Sequence, residues 1–337
     1  MVLWALLWVL AAATAPPAHA LGAAQLAVVI NTADPLSVRI GEYYARARHI
    51  PARNVARVSF GYHRSVMAAD EFVALKLSID QQLPASIEAY ALTWTRPYRV
   101  DCMSITSAFA FGFDTGYCAT GCEGTRLSRY FDSDSAAPFS DLRVRPAMSL
   151  AAANFEQAQG LIERGIRADG SAPRGSAYLL YGADPRRDVR AARYADAALL
   201  SAGRLRVATL QAAALRGQGD VMFYFVGAAR VPGIDSNHFL PGAVADHLTS
   251  YGGALTDSTQ MSSLHWLEGG ATASYGTVVE PCNMATKFPM PALLISRYLA
   301  GESVLEAYWK SVAMPGQGLF IGEPLAAPYR RAQDTNR

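Results

Sequence analysis

The chain has 337 residues, of which 51% are hydrophobic and 17% are charged, and its formal net charge is +2. This length is enough to bury a large core in one large domain or two small ones. The charge is near neutral and there is no long run of like charge, so nucleic-acid binding through a basic face is not indicated, because neutralising phosphates requires clustered positive charge.

The first twenty residues have the pattern of a secretory signal. An apolar run over residues 2–14 precedes a Pro-Pro break, and small residues flank His19 as they do at a site cleaved after Ala20. The run is shorter than the roughly 20 residues that span a bilayer, so cleavage is favoured over an uncleaved anchor. We expect residues 1–20 to be a signal peptide and the mature protein to be periplasmic or extracellular, with no transmembrane segment.

Strands and helices alternate at the start of the mature chain. Residues 26–30 form a predicted buried strand, and Asp34-Pro35 begins a helix that ends before Pro51. A strand (NVARVSF), a helix (DEFVALKLSIDQQL) and another strand (IEAYALTW) follow. This β-α-β-α-β order predicts a largely parallel sheet with helices on both faces.

Residues 101–148 depart from this alternation. They are rich in Gly, Ser, Asp and aromatic residues and contain three of the four cysteines. A long irregular segment within a compact domain is usually functional or held by crosslinks. We interpret it as a disulfide-stapled excursion that covers one end of the sheet.

Regular elements return after residue 150. The predicted helices lie at 153–168, 186–202, 243–250, 261–268, 290–300 and 302–309. The predicted strands lie at 176–182, 205–210, 221–227, 271–279 and 319–322. No polar residue interrupts 221–226, which predicts a central strand buried on both faces. The sequence thus predicts one α/β domain over residues 21–327, a three-layer sandwich with a mostly parallel central sheet, and a tail at 328–337.

All four cysteines lie in the mature chain, and an even number in an exported protein indicates disulfides. Four cysteines permit three pairings. Because Gly121 allows a tight loop, we favour Cys118–Cys122 together with Cys102–Cys282. A zinc site is the alternative, and the small number of nearby histidines disfavours it.

Several longer motifs resemble those of a known group of proteins. They are YRVDCMSITSAFAFGFD, VRPAMSL, PGAVADHLTSYGG, LEGGATASYGTVVEPC, KFP, EAYWKSV and IGEPL. Together they resemble an uncharacterised family of secreted bacterial proteins, found mainly in genomes that carry the PEP-CTERM/exosortase sorting system. The likeness covers nearly the whole mature chain and implies export, but no particular chemistry.

The chain is more distantly similar to the caspase–gingipain-like peptidase fold. In that fold an apolar strand leads to a catalytic histidine, and the next strand delivers a catalytic cysteine. Here the apolar strand is followed by Gly227-Ala228-Ala229, and Leu240-Pro241-Gly242 holds no cysteine. The resemblance therefore implies a caspase-like framework that lacks the usual His/Cys dyad.

Ligands of open parallel sheets gather at the carboxyl ends of the strands. The polar residues that follow predicted strands are Asn31, Asp34, Arg96, Asp184, Arg230 and Glu280. We predict that four of them bind a ligand, namely Asp34, Arg96, Asp184 and Arg230. The alternative is that they form turns and helix caps, which is a common role for an aspartate before proline.

A rebuilt catalytic centre is the second hypothesis for the chemistry. His247 would be the general base, Cys282 the nucleophile, and Glu280 or Asp246 would orient the histidine. Alternatively, His247 caps a short helix and Cys282 is bonded. A bridged cysteine cannot attack a substrate, so the two interpretations exclude each other.

Other histidines and hydroxyls carry weaker signals. Ser274 resembles a nucleophile elbow, but Thr272 replaces the first glycine and the strand continues past the serine. His265 is predicted to pack beside Trp266. The sequence contains no Walker loop, HExxH motif or dinucleotide fingerprint, and we predict neither a cofactor nor a metal.

Two functions follow from these patterns. The first is an exported peptidase-like scaffold without catalysis, which binds a polypeptide or polysaccharide of the cell envelope or extracellular matrix. The second is a cysteine-dependent hydrolase built on His247 and Cys282.

Overall fold

The structure is a computed structural model that describes residues 21–119, 121–201 and 203–331. The predicted signal peptide at 1–20 and the last six residues of the predicted tail lie outside these ranges. None of the helices in the described ranges is long and apolar enough to cross a membrane.

The strands are named in chain order. They are β1 (Leu26–Asn31), β2 (Val55–Val58), β3 (Val66–Met67), β4 (Ala89–Leu92), β5 (Arg99–Val100), β6 (Met103–Ser104), β7 (Ala147–Ser149), β8 (Ser176–Tyr181), β9 (Arg206–Gln211), β10 (Val221–Gly227), β11 (Phe239–Leu248), β12 (Ala273–Thr277) and β13 (Gly318–Gly322).

The α-helices are named in the same way. They are α1 (Pro35–Ala47), α2 (Ala69–Gln82), α3 (Ile105–Phe111), α4 (Pro138–Leu142), α5 (Phe155–Ala168), α6 (Tyr194–Leu200), α7 (Leu264–Glu268), α8 (Pro291–Leu299) and α9 (Val304–Ser311).

The central sheet has the strand order β2-β1-β4-β7-β13-β12-β11-β10-β8-β9 within the described residues. A first group (β2, β1, β4, β7) and a second group (β12, β11, β10, β8, β9) each pair in parallel throughout. Between them, β13 pairs antiparallel with β12 over five residue pairs. It meets β7 at one bridge of parallel type, Ile321 with Ser149, and a single residue pair is too short to fix the direction of one strand relative to the other. The predicted mostly parallel α/β sheet is confirmed.

The helices show how the two groups are oriented. α1 and α5 run side by side in the same direction, because Tyr43 packs 5.7 Å from the Phe155 ring and Arg48 pairs with Asp169 just beyond α5. Because α1 follows β1, it runs back from the carboxyl edge of the first group to its amino edge. α5 runs in the same direction and leads from β7 to β8, so β8 starts at the amino edge of the first group. The carboxyl ends of both groups therefore share the opposite edge of the sheet.

Helices cover both faces of the second group. Adjacent residues of β10 point to opposite sides: Phe223 packs 6.0 Å from Tyr298 of α8, and Tyr224 packs 4.9 Å from Trp266 of α7. Every residue of β10 is buried. This agrees with the prediction of a central strand covered on two sides.

The largest difference from the sequence prediction lies at residues 243–250, where a short helix was expected. Residues 243–248 of this segment belong to β11, a ten-residue strand between β10 and β12. Residues 243–248 are buried on both faces, so the polar/apolar alternation of an exposed strand is missing. The predicted helix at 186–202 is also divided, into a 3₁₀ segment Asp188–Arg193 and α6.

The excursion at 101–148 is stapled by disulfides, as predicted, but with different partners. Cys102 is bonded to Cys118, and Cys122 is bonded to Cys282. The predicted pairs 118–122 and 102–282 are therefore wrong. The second bridge attaches the excursion to the segment after β12, and backbone hydrogen bonds from Ser128 to Ala313 and from Asp132 to Lys310 continue the attachment along α9 and the residues after it.

The beginning of the predicted tail belongs to the packed domain. The ring of Tyr329 lies 6.0 Å from that of Tyr298, and Arg330 donates a hydrogen bond of 3.0 Å to the carbonyl oxygen of Leu21.

Candidate functional site

The loops that leave the two strand groups meet at the carboxyl edge of the sheet. Asp257, an exposed residue of the loop after β11, accepts hydrogen bonds from Ser65, which follows β2, and from Tyr98, which follows β4. Burial and the neighbouring carboxylate raise the pKa of Tyr98 to about 12, so this hydroxyl stays protonated and donates. Asp257 thus links a loop of the second strand group to two loops of the first by hydrogen bonds.

Three of the four predicted ligand-binding residues make hydrogen bonds to nearby turns and loops. Asp34 caps α1 by accepting the N–H of Leu36 at 2.9 Å. Arg96 donates to the carbonyl oxygen of His63 at 3.4 Å.

Asp184 is the third of these residues and lies in the turn after β8. It accepts the N–H of Arg186 at 3.0 Å and pairs with Arg187. This bonding is what turn formation requires, which was the alternative interpretation.

His247 is buried in β11 and is fully engaged. The indole N–H of Trp266 donates to Nδ1 at 2.9 Å, so Nε2 carries the proton and donates to the carbonyl oxygen of Met261 at 3.1 Å. Burial lowers the pKa of His247 to about 3, which keeps the ring neutral. The expected helix-capping role is wrong, and the ring has no free nitrogen to act as a base.

Asp246 forms a buried ion pair that the sequence did not indicate. Its Oδ1 lies 2.7 Å from Nη1 of Arg190, and the two side chains are 0% and 3% exposed. The guanidinium also donates to the carbonyl oxygens of Pro289 and Val226. Asp246 therefore binds Arg190 and fixes the turn after β8 beneath the carboxyl edge.

Cys282 is bonded to Cys122 and lies in an exposed turn. Its backbone N–H donates to Oε1 of Glu280 at 2.7 Å. The arrangement gives Glu280 a turn-stabilising role and removes the thiol that a nucleophile needs. Catalysis through Cys282 is not supported by this bonding.

Arg230 is the predicted ligand-binding residue that lines a cavity. The cavity is a surface groove of about 380 Å³ between the segment after β10 and α7. We call it the Arg230 groove, and its lining residues are Arg230, Val231, Pro232, Ile234, Asp235, Met261, His265, Glu268 and Gly269.

The floor of the Arg230 groove is apolar and its rim is charged. Val231, Ile234 and Met261 are buried beneath it, whereas Arg230 and Asp235 are exposed. The Arg230 side chain makes one long hydrogen bond, 3.5 Å, to the carbonyl oxygen of Thr259. Its remaining donors make no hydrogen bond to the residues that the structure describes.

His247 supports this floor from behind. It holds the Met261 carbonyl, while the Met261 N–H donates to Ala229 at 3.0 Å and the Met261 sulfur accepts from the Val231 N–H at 3.4 Å. The histidine nominated as a base is thus one layer below the groove. It positions a lining residue and does not reach the surface.

The sequence prediction missed most of the groove. His265 was expected to pack beside Trp266, but its side chain is 52% exposed and pairs with Glu268 at 2.8 Å on the rim. The spacing i, i+3 on a short helix was the available signal, because it places both side chains on one face. Residues 231–235 carried no signal of their own.

The described ranges contain no group of three or more His, Cys, Asp or Glu side chains that could hold a metal ion. Ser274 lies inside β12 and is fully buried, with no described hydrogen-bond partner for its hydroxyl. That location agrees with a strand residue and not with an exposed elbow.

Comparison with solved structures gives two remote similarities. One is to a protein described as a protease, with 11% identity and a TM-score of 0.43, covering 92% of this chain and 79% of that one. The other is to the Arg-specific cysteine proteinase gingipain R, with 9% identity and a TM-score of 0.49, covering 93% and 80%. No known protein family and no curated protein matches the chain.

Proposed function

We propose that this protein is an exported, non-catalytic binding protein on a peptidase-like α/β framework, and that it holds a polypeptide in the Arg230 groove. The observation that carries the proposal is the groove itself, with an apolar floor, a charged rim and an arginine whose donors are largely unused. Concave sites with an apolar lining and a few polar groups are typical of ligand binding.

A polypeptide suits the groove better than a polysaccharide. Its lining includes Val231, Ile234 and Met261 but no Trp, Tyr or Phe. An aliphatic floor takes up apolar side chains by burial, and the charges of Arg230 and Asp235 can meet those of a peptide. Sugar rings usually stack on aromatic faces, which this groove does not provide.

The two disulfides support export, since such bonds persist in oxidising compartments. They also weaken the hydrolase alternative. A nucleophilic role for Cys282 requires a thiolate, and the proposed base His247 is neutral and bonded at both nitrogens.

The binding proposal is tested with two fluorescent probes, reduced and carboxymethylated lactalbumin as an unfolded polypeptide and dextran as a polysaccharide. Anisotropy should show that the mature protein binds the polypeptide and not dextran. Reversal of the rim charge by Arg230→Glu should weaken binding by at least about tenfold, or about 1.4 kcal/mol.

Arg129→Glu is the matched control, because Arg129 is an exposed arginine outside the groove. It should leave binding unchanged. Equal loss in both variants, or tight binding of dextran alone, would refute the polypeptide groove. Titration of thiols in the native protein distinguishes the binding protein from the hydrolase alternative. A reactive thiol in the native protein would favour the hydrolase.

A further inference from the structure

The strand β9 forms one end of the central sheet and leaves half of its backbone groups unused. It pairs with β8 from Ser176–Arg206 to Tyr181–Gln211, and just beyond it Ala212 donates its N–H to Tyr181. Backbone groups of a strand alternate in direction, so the even-numbered residues face β8. The N–H and C=O groups of Val207, Thr209 and Gln211 therefore point outward, where the described residues offer them no hydrogen bond.

The opposite end of the sheet is protected. There the end strand β2 has only four residues, carries Arg57 in its middle, and has the Arg57 N–H capped by the side chain of Gln82 at 3.0 Å. Charges and caps of this kind are how proteins prevent unwanted pairing at sheet edges. In β9 the stretch Val207-Ala208-Thr209-Leu210 contains no charge and no proline.

Apolar side chains flank the open edge on both faces. Leu199 and Leu200 at the end of α6 are 76% and 55% exposed, and Leu210 is 37% exposed. Tyr181 pairs with Gln211 and packs against Tyr194 of α6, so odd-numbered residues of β9 share the α6 face. Leu210 therefore lies on the other face.

We propose that two copies of this chain associate through β9, by antiparallel pairing that joins their sheets. Only residues whose N–H and C=O groups point away from β8 can form hydrogen bonds with the second copy. Each of them must therefore lie opposite another such residue, which restricts the register of the pairing. A two-fold axis through Thr209 satisfies this requirement. It places Thr209 opposite Thr209 of the second copy, Val207 opposite Gln211, and Ala208 opposite Leu210.

The chemistry of this register favours a second copy over an unrelated strand. The two Arg206 side chains fall at opposite ends of the paired segment, so no like charges oppose each other. Threonine pairs across antiparallel strands are stabilising, and Ala208 and Leu210 bury apolar surface on the face away from α6. A two-fold interface of this kind is the commonest form of homodimer.

The test is the mass of the mature protein in solution, measured by sedimentation equilibrium over a broad concentration range. The wild type should reach the mass of two chains. Thr209→Pro removes one outward donor without removing a hydrogen bond to β8, so it should be monomeric. Thr209→Val is the matched control, because it keeps the N–H and should remain dimeric.

Circular dichroism shows whether Thr209→Pro is folded. If it is not, Leu210→Lys replaces it, since this change introduces a charge at the pairing surface and leaves the backbone intact; it too should be monomeric. A wild-type protein that stays monomeric at every concentration would overturn the proposal that β9 pairs with a second copy. So would a dimer that persists in the folded variants.

Discussion

At the scale of single residues, His247 makes the stability of the protein depend on pH. In the folded chain burial lowers the pKa of His247 to about 3, whereas an exposed histidine titrates near about 6.5. Below about pH 6.5 the unfolded chain binds a proton that the folded chain does not. The free energy of unfolding should therefore fall by about 1.4 kcal/mol per pH unit between about pH 6.5 and 3 from this group alone.

His247→Gln isolates this contribution. A glutamine amide can accept from the Trp266 indole and donate to the Met261 carbonyl, as the histidine does, but it does not titrate. Urea unfolding at about pH 7 and 4.5 should show that the wild type loses about 3 kcal/mol more than the variant. Equal losses would mean that His247 is not held neutral.

The buried pair of Arg190 and Asp246 gives a second prediction for single residues. Removing one partner leaves an unpaired charge in the core, so Asp246→Leu and Arg190→Met should each lower the free energy of unfolding by about 3–5 kcal/mol. The double variant removes both charges and should cost less than the sum of the two. Chemical denaturation of all four proteins measures the difference, and additive losses would show that the two charges do not interact.

At the scale of elements, β12 depends on a close backbone approach at Gly276. A Cβ on residue 276 would overlap the backbone of Gly252 and Gly253, in the loop that follows β11. Gly253 is also bonded to this strand, through its N–H and the carbonyl oxygen of Thr277 at 2.9 Å. Neither backbone can move without breaking that contact.

Gly276→Ala should therefore lower the free energy of unfolding by about 1–3 kcal/mol. Gly219→Ala is the control, because a Cβ there meets nothing within 4 Å. The two variants are compared by thermal unfolding at neutral pH. A Gly276→Ala protein as stable as its control would show that the loop can shift at no cost.

The elements also show what the sequence can predict. The alternating order from β1 to β4 and the apolar run of β10 were sufficient to predict a parallel sheet with a central strand. β11 was missed because its buried half contains Ala243, Ala245, Asp246 and His247, residues that suit a helix as well as a strand. Its position between β10 and β12 decides its conformation, and that contact is remote in sequence.

The site was less predictable than the fold for a related reason. The rule that ligands lie at strand ends selected Arg230, which lines the groove, but it also selected Asp34, which caps a helix, and Asp184, which stabilises a turn. The Arg230 groove combines residues 230–235 with 261–269, two segments that come together only because α7 packs against the second strand group. No spacing rule connects them in the sequence.

At the scale of the whole molecule, the two disulfides should contribute unequally to stability. Cys102–Cys118 spans 16 residues, whereas Cys122–Cys282 spans 160 and connects the excursion to the second strand group. A crosslink stabilises mainly by restricting the unfolded chain, and its effect grows with the logarithm of the loop length. A tenfold longer loop should add about 2 kcal/mol.

Two double variants test this expectation, each removing both cysteines of one bridge so that no free thiol remains. Cys122→Ala/Cys282→Ala should lower the free energy of unfolding by about 2 kcal/mol more than Cys102→Ala/Cys118→Ala, as measured by urea denaturation without reductant. The same comparison in the presence of reductant should bring the variants and the wild type together. If the short bridge costs as much as the long one, native contacts around Cys102 and Cys118, and not restriction of the unfolded chain, determine the stability of this end of the sheet.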